Sequence, residues 1–159
     1  ANLIFSGFLL VGKKLSGNSE YNASTLAMTN YWSLKNADMG GFFIKDGSGL
    51  SPSGSVTVNN MTDILRAATK QTGFDDFYKS IAVMGQSGTV RNLGKGSKAV
   101  GNIRAKSGSI EGTRAFAGYV TNKAGALMSF AIIANKYQPG SQRMISDELI
   151  RLMVLMTDI

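Results

Sequence analysis

Apolar residues recur at helical spacing over residues 3–14, and again over residues 24–35 through Leu26, Met28, Tyr31, Trp32 and Leu34. Two helices are predicted there, separated by the turn-forming run Ser16-Gly17-Asn18-Ser19. Gly40-Gly41 ends the pattern, and Phe42-Phe43-Ile44 reads as a short buried strand leading into Asp46-Gly47-Ser48-Gly49-Leu50-Ser51-Pro52, a run dense in turn formers. Thr57 is placed to cap a helix over residues 59–70 with Met61, Ile64, Leu65 and Ala68 on one face, and Gly73 ends it. A shorter helix over residues 75–81 follows. Residues 85–101, rich in Gly, Ser and Lys, read as a long structureless loop, which in a compact domain is functional or mobile.

The pattern then changes period. Residues 103–110, 114–121 and 126–134 read as three strands, and Glu111-Gly112-Thr113 and Asn122-Lys123-Ala124-Gly125 are short enough to join them as hairpins. Beyond Pro139-Gly140, residues 141–157 place Met144, Ile145, Leu149, Leu152, Met153 and Met156 on one helical stripe that reads as core packing. Helices, then an antiparallel meander, then a covering helix is an α+β pattern. No internal repeat and no linker divides the chain, so residues 1–159 read as a single domain.

Composition narrows the chemistry. Of 159 residues 43% are hydrophobic and 17% charged, enough apolar content for a packed core. There is no Cys and no His, which removes thiolate nucleophiles, Ser-His-Asp triads and nearly all zinc sites. Nucleophilic chemistry would rest on Ser, Lys, Tyr and carboxylates, and no metal site is expected. No apolar run reaches the roughly 18 to 20 residues of a membrane span. The sequons at Asn22 and Asn60 are a short pattern that carries little information.

The net charge is +7, and Arg91, Lys95, Lys98, Arg104, Lys106 and Arg114 cluster with Glu111 as the only acid among them. Such a cluster suits a small anionic ligand at least as well as a phosphate backbone. Within it stands Lys106-Ser107-Gly108-Ser109. On a strand, Lys106 and Gly108 share one face while Ser107 and Ser109 share the other. A glycine weakens a strand unless a ligand or another backbone approaches closely, so Gly108 favours a site, although a Lys-Ser-Gly triplet alone is common.

Four segments, in order, carry a family resemblance: Phe43-Ile44-Lys45-Asp46-Gly47-Ser48-Gly49-Leu50-Ser51-Pro52, Gly88-Thr89-Val90-Arg91, Arg104-Ala105-Lys106-Ser107-Gly108-Ser109 and Ala117-Gly118-Tyr119-Val120. With them the chain resembles the D-alanyl-D-alanine carboxypeptidase/endopeptidase family, the class C low-molecular-mass penicillin-binding proteins. The resemblance implies a serine β-lactamase/DD-peptidase-like fold and a serine acyl-transfer site built from Ser-x-x-Lys, Ser-x-Asn and Lys-Thr/Ser-Gly. The third motif is Lys106-Ser107-Gly108. Asn2, opening Asn2-Leu3-Ile4-Phe5-Ser6, matches the end of the second, with a simple helix cap as its other reading.

No lysine in the chain has a serine three residues before it, so Ser-x-x-Lys is absent. The resemblance places that motif far upstream, and the chain reads as the C-terminal portion of a DD-peptidase catalytic domain, inactive alone. Its first residue, Ala1, fits a processed or excised piece. The implied roles are charge stabilisation and proton relay for Lys106, carboxylate binding for Ser107, an oxyanion-hole N–H for Ser109, and close substrate approach at Gly108. Arg91 is a candidate for the free end of a peptide or a solvated loop residue, and Asp46 a structural turn residue with direct catalysis as its other reading.

The expected activity is that of a serine DD-carboxypeptidase or DD-endopeptidase on peptidoglycan stem peptides, acylated by β-lactams and needing no cofactor. Its expected location is exported, periplasmic or cell-envelope, and its expected partner is the upstream segment carrying Ser-x-x-Lys. Two other readings stay open: a non-catalytic peptidoglycan-binding or scaffold protein of the same fold, and a basic nucleic-acid-binding module, which would show steep salt dependence.

Overall fold

The computed structural model describes residues 2–44, 47–49, 51 and 53–159, with side chains from residue 7 onward. Asp46 lies outside the described residues. The chain forms two compact units, Ala1–Ala67 and Ala68–Ile159.

The first unit is helical. Helix α1 spans Asn2–Ser16 and α2 spans Tyr21–Ser33. Gly17 ends α1 at φ 76°, its N–H reaching Lys13 O at 2.8 Å, and Lys13 and Lys14 lie in the last turn, where the helix dipole favours cations. The two helices meet at Gly12 and the buried Ser24. A Cβ at residue 12 would fall 2.0 Å from Ser24 Oγ and 2.7 Å from its Cα, so only glycine permits this approach.

Helix α3, Val58–Ala68, begins on a reciprocal cap. Asn60 N–H donates to Thr57 Oγ1 at 3.0 Å while Thr57 N–H donates to Asn60 Oδ1 at 2.8 Å. The Asn60 amide also donates to Asp38 O at 2.8 Å and Gly40 O at 3.0 Å, so this fully buried side chain ties the cap to the preceding loop. Asn60→Ala should destabilise the protein by about 2–4 kcal/mol, since it removes the side-chain half of the reciprocal cap and leaves buried polar groups unmatched. Urea denaturation would measure this, and a loss below about 1 kcal/mol would contradict it. Burial of Asn60 explains its sequon as a packing residue. The expected buried strand at residues 42–44 is reduced to one isolated bridge between Phe43 and Ser55, and Phe43 is 54% exposed.

The second unit opens with α4, Phe74–Ser80, entered through Gly73 at φ 87°. Three strands follow: β1 Ile103–Ile110, β2 Thr113–Thr121 and β3 Leu127–Asn135, antiparallel in the order β1-β2-β3. Ile110 pairs with Thr113, so the first hairpin has a two-residue turn, Glu111-Gly112, with Gly112 at φ 65°. In the second, Asn122 Oδ1 accepts the N–H groups of Ala124 and Ala126. Helix α5, Gln142–Met156, buries Leu149 and Met153 against a core that includes Ile103, Ala105, Phe116, Val120 and Phe130. Each of the larger side chains among them contributes roughly 1.5–3 kcal/mol when fully buried. On the opposite face of the sheet, buried Tyr119 packs against Phe74 and Tyr78 of α4, with ring centroids 5.4 and 5.6 Å away.

The stripe expected on the last helix is narrower than its periodicity implies. Met144 is 65% exposed, and Leu152 and Leu155 also face outward. Residues 85–101 are not structureless either. They contain a 3-10 turn, Gly88–Val90, and bury Val90 and Ala99 in the core. Successive short-range hydrogen bonds, such as Gly85 N–H to Val90 O at 3.1 Å, satisfy their backbone without strand or helix. Among the described residues, no helix is long and apolar enough to cross a membrane.

Candidate active-site strand

Strand β1 is an edge strand covered over only half its length. Ala105 N–H donates to Ala82 O and Met84 N–H donates to Ile103 O, both at 2.9 Å, so residues 82–84 pair with its first residues. Main-chain groups of alternate residues in an antiparallel strand point to opposite edges. Those of Ile103 and Ala105 point away from β2, and the same alternation carries the N–H groups of Ser107 and Ser109 to that outer edge. There the cover has ended, and no backbone partner meets them among the described residues.

Side chains divide as the strand period requires. Ile103 and Ala105 are buried, with half-buried Ser107 and exposed Ser109 continuing their face. Lys106 and Gly108 are exposed on the other face. The Lys106 ammonium donates to Ser107 O at 2.7 Å, and the hydroxyls of Ser107 and Thr89 lie 2.8 Å apart. An ammonium, a hydroxyl and outward N–H groups are thereby gathered on one short stretch of strand, donors suited to a carboxylate and a developing oxyanion.

Gly108 is unusual for what does not surround it. A Cβ there would meet only Ala115 Cβ within 4 Å, at 3.7 Å, an ordinary contact. Gly118, one strand away, is the opposite case: its Cβ would fall 2.0 Å from Arg104 O. Gly118 is demanded by the sheet, whereas nothing in the packing of the described residues demands Gly108. The open space above residue 108 is room for something else to approach.

The basic cluster is less uniform in space than in sequence. Lys98 donates to Asp158 at 2.7 Å, and that hydrogen bond holds the Asp158 carboxyl below its usual range. Arg104 donates to Ile81 O at 3.0 Å and, more weakly, to Lys79 O and Tyr78 O, with its guanidinium 4.7 Å from the Tyr78 ring. It serves the C-terminal end of α4, where orphan carbonyls need donors. Arg114, paired across the sheet with Ser109, lies over Phe116 at 4.9 Å. Lys98 and Arg104 thus have partners elsewhere, which leaves Arg91, Lys95, Lys106 and Arg114 of the expected anion-binding cluster.

Arg91 is exposed just after the 3-10 turn. Asn2 begins α1, and its side chain lies outside the described residues. Thr89 was given no role by sequence reasoning, although it stands inside Gly88-Thr89-Val90-Arg91; its contact with Ser107 bridges 18 positions and has no local signal. An open hollow of about 790 Å³ beside α5 contains none of these residues. Its charges neutralise one another, Arg151 with Glu148 and Arg143 with Asp147.

The family model of D-Ala-D-Ala carboxypeptidase 3 (S13) matches residues 6–154. The chain is 28% identical over 144 residues to the D-alanyl-D-alanine carboxypeptidase of Actinomadura sp. (strain R39), covering 87% of this chain and 27% of that protein. It is 34% identical over 108 residues to carboxypeptidase DacB of Mycolicibacterium smegmatis, covering 64% and 24%. The chain therefore spans about a quarter of the length of these relatives. Penicillin binding protein 4 (dacB) from Haemophilus influenzae has the same fold, with a TM-score of 0.84 and 24% identity over 99% of this chain and 37% of that one. A match over nearly the whole sequence settles the family: the chain belongs to the D-Ala-D-Ala carboxypeptidase 3 (S13) family.

Proposed function

We propose that this chain is the Lys-Ser-Gly-bearing portion of a serine DD-carboxypeptidase or DD-endopeptidase that cleaves D-Ala-containing peptidoglycan stem peptides through an acyl-enzyme and is acylated by β-lactams. The observation that carries the reading is the uncovered half of β1, where Lys106, the Ser107 hydroxyl and the outward N–H of Ser109 stand together beside an unencumbered Gly108. The substrate backbone lies extended along this edge, and its terminal carboxylate meets Ser107. The attacking serine and its lysine belong to a Ser-x-x-Lys segment outside this chain, which has no such motif. As the serine attacks the carbonyl of the D-Ala-D-Xaa bond, its lysine takes the proton. Lys106 stabilises negative charge and relays a proton toward the leaving amine, while Ser109 N–H and the nucleophile's own N–H hold the oxyanion. Losing one such donor costs about 10²–10³ in turnover.

Asn2 completes a Ser-x-Asn motif whose serine precedes the chain, and Arg91 reaches the free end of the peptide. No metal or organic cofactor takes part, and the complete protein acts in the cell envelope after export. A likeness in kind supports this: a Bdellovibrio bacteriovorus predatory endopeptidase of similar fold has been described as penicillin G acylated.

The upstream segment also supplies cover. The outer edge of β3 has no strand partner among the described residues, and Leu10, Val11 and Leu15 of α1 are exposed, so the chain alone should aggregate or reassociate with that segment. A fluorescent penicillin tests the proposal. The complete protein should label one-to-one, and this chain alone should not label. Stoichiometric labelling of the chain alone would place the nucleophile within it and defeat the proposal, and an unlabelled complete protein would favour a non-catalytic scaffold.

A further inference from the structure

We infer that Thr89 is a positioning residue for Ser107, donating its hydroxyl hydrogen to Ser107 Oγ so that the Ser107 O–H is turned outward to the substrate's terminal carboxylate. The inference rests on the function proposed above and adds a residue to its carboxylate site. The structure records the Ser107 hydroxyl donating to Thr89 Oγ1 at 2.8 Å, and because both groups are rotating hydroxyls the same pair can reverse, Thr89 then donating to Ser107. A serine hydroxyl has one hydrogen and two acceptor lone pairs, whereas a carboxylate only accepts. While Ser107 donates to Thr89, it presents only lone pairs to the anion. Carboxylate binding therefore selects the chain Thr89 to Ser107 to carboxylate, in which each bond polarises the next.

Thr89 is built to hold this place. Val90, the next residue, is 1% exposed in the core, and its carbonyl accepts Gly85 N–H at 3.1 Å. Gly88, the residue before, sits at φ 56° with space for a Cβ closed by Ala82 Cβ at 2.6 Å. Ser87 Oγ accepts Val83 N–H at 2.8 Å, and Val83 bridges to Arg104. The turn carrying Thr89 is therefore fastened to the same residues 82–84 that pair with β1, which fixes its distance from Ser107. The Thr89 side chain itself is exposed, and a solvent-exposed hydroxyl pair adds little to stability. What the bond supplies is orientation.

The test uses the complete enzyme and two peptides, one ending in D-Ala-D-Ala with a free carboxylate and the same peptide as its C-terminal amide. Wild type should prefer the free acid. Thr89→Val should lower kcat/KM for the acid about tenfold, mainly through KM, a loss equal to about 1.4 kcal/mol, and leave the amide unchanged. Thr89→Ser, which keeps the hydroxyl, should restore the preference, and Thr89→Ala offers the same comparison as valine should that variant fold poorly. An undiminished preference in Thr89→Val, equal losses on acid and amide, or a serine variant as impaired as valine would overturn the inference. A wild type that cleaves neither peptide defeats the functional reading itself, a result distinct from a wild-type preference that Thr89→Val retains.

Discussion

Lys106→Ala in the complete enzyme should lower kcat/KM by about 10²–10³-fold or more while shifting thermal stability by no more than about 0.5 kcal/mol. The asymmetry follows from where the side chain sits. Lys106 is exposed on the uncovered half of β1, and its recorded hydrogen bond goes to the carbonyl of the next residue. Removing it opens no cavity and strands no buried group, so the fold loses almost nothing. The site would lose the cation beside Ser107 and Ser109, which the proposed acyl transfer uses to stabilise negative charge. Lys106→Arg should rescue little, because a planar guanidinium cannot present a compact, proton-relaying ammonium at the same point. Wild-type turnover in Lys106→Ala would end the assignment, whereas a large drop in melting temperature would show the residue to be structural. Acylation by penicillin and melting temperature, measured on one preparation, separate these outcomes.

The second large effect is expected at a glycine that carries no chemistry. Gly118→Ala should cost about 3 kcal/mol or more, a fall of roughly 6–12 °C in melting temperature for a protein of this size. The added Cβ would lie 2.0 Å from Arg104 O, 2.9 Å from Ala105 Cα and 3.0 Å from Arg104 C. All three are backbone atoms, so no side chain can swing aside, and β1 itself must move. Ala105 precedes Lys106, and the displacement would reach the site as well as the core. Gly108→Ala is the matched control. Its Cβ has room, so stability should change by less than about 1 kcal/mol, while on the function proposed above activity should fall, that reading placing substrate in this space. If the alanine at 118 is tolerated, or the alanine at 108 destabilises equally, the distinction between a packing glycine and a site glycine fails.

That distinction shows where sequence reasoning stops. Gly108 and Gly118 both interrupt strand patterns, and nothing in their immediate neighbours tells them apart. The difference comes from what lies across the sheet, open space for one and the Arg104 carbonyl for the other. Strand positions, by contrast, were readable from period alone. Residues 103–110 were expected and found, and the second and third strands differ from expectation by a residue at most at each end. Helix ends were read within a few residues, with α2 starting at Tyr21, earlier than its apolar pattern, because polar first-turn residues leave no periodic signal.

Burial was harder to read than element type. Met144 and Leu152 fit the helical stripe of α5, yet only Leu149 and Met153 on that stripe are fully enclosed, because a three-stranded sheet offers too narrow a face to cover the rest. Residues 85–101 read as loop because their order comes from successive tight turns with no period. The same holds for the basic cluster. Its six residues are neighbours in sequence, but Asp158 and the carbonyls ending α4 claim two of them from distant parts of the chain.

By itself the sequence determined the α+β order, the three-stranded meander and the placing of Lys106 and Gly108 on one face of β1 with Ser107 and Ser109 on the other. Those are consequences of periods two and 3.6, which operate between near neighbours. The motif types and their order were sufficient to indicate the family. Only the tertiary structure decided that residues 82–84 cover β1 as far as Ala105 and leave Ser107 and Ser109 at an open edge, and that Thr89 meets Ser107. Such meetings depend on where long loops close, a matter of packing across the whole unit, and no short stretch of sequence contains them.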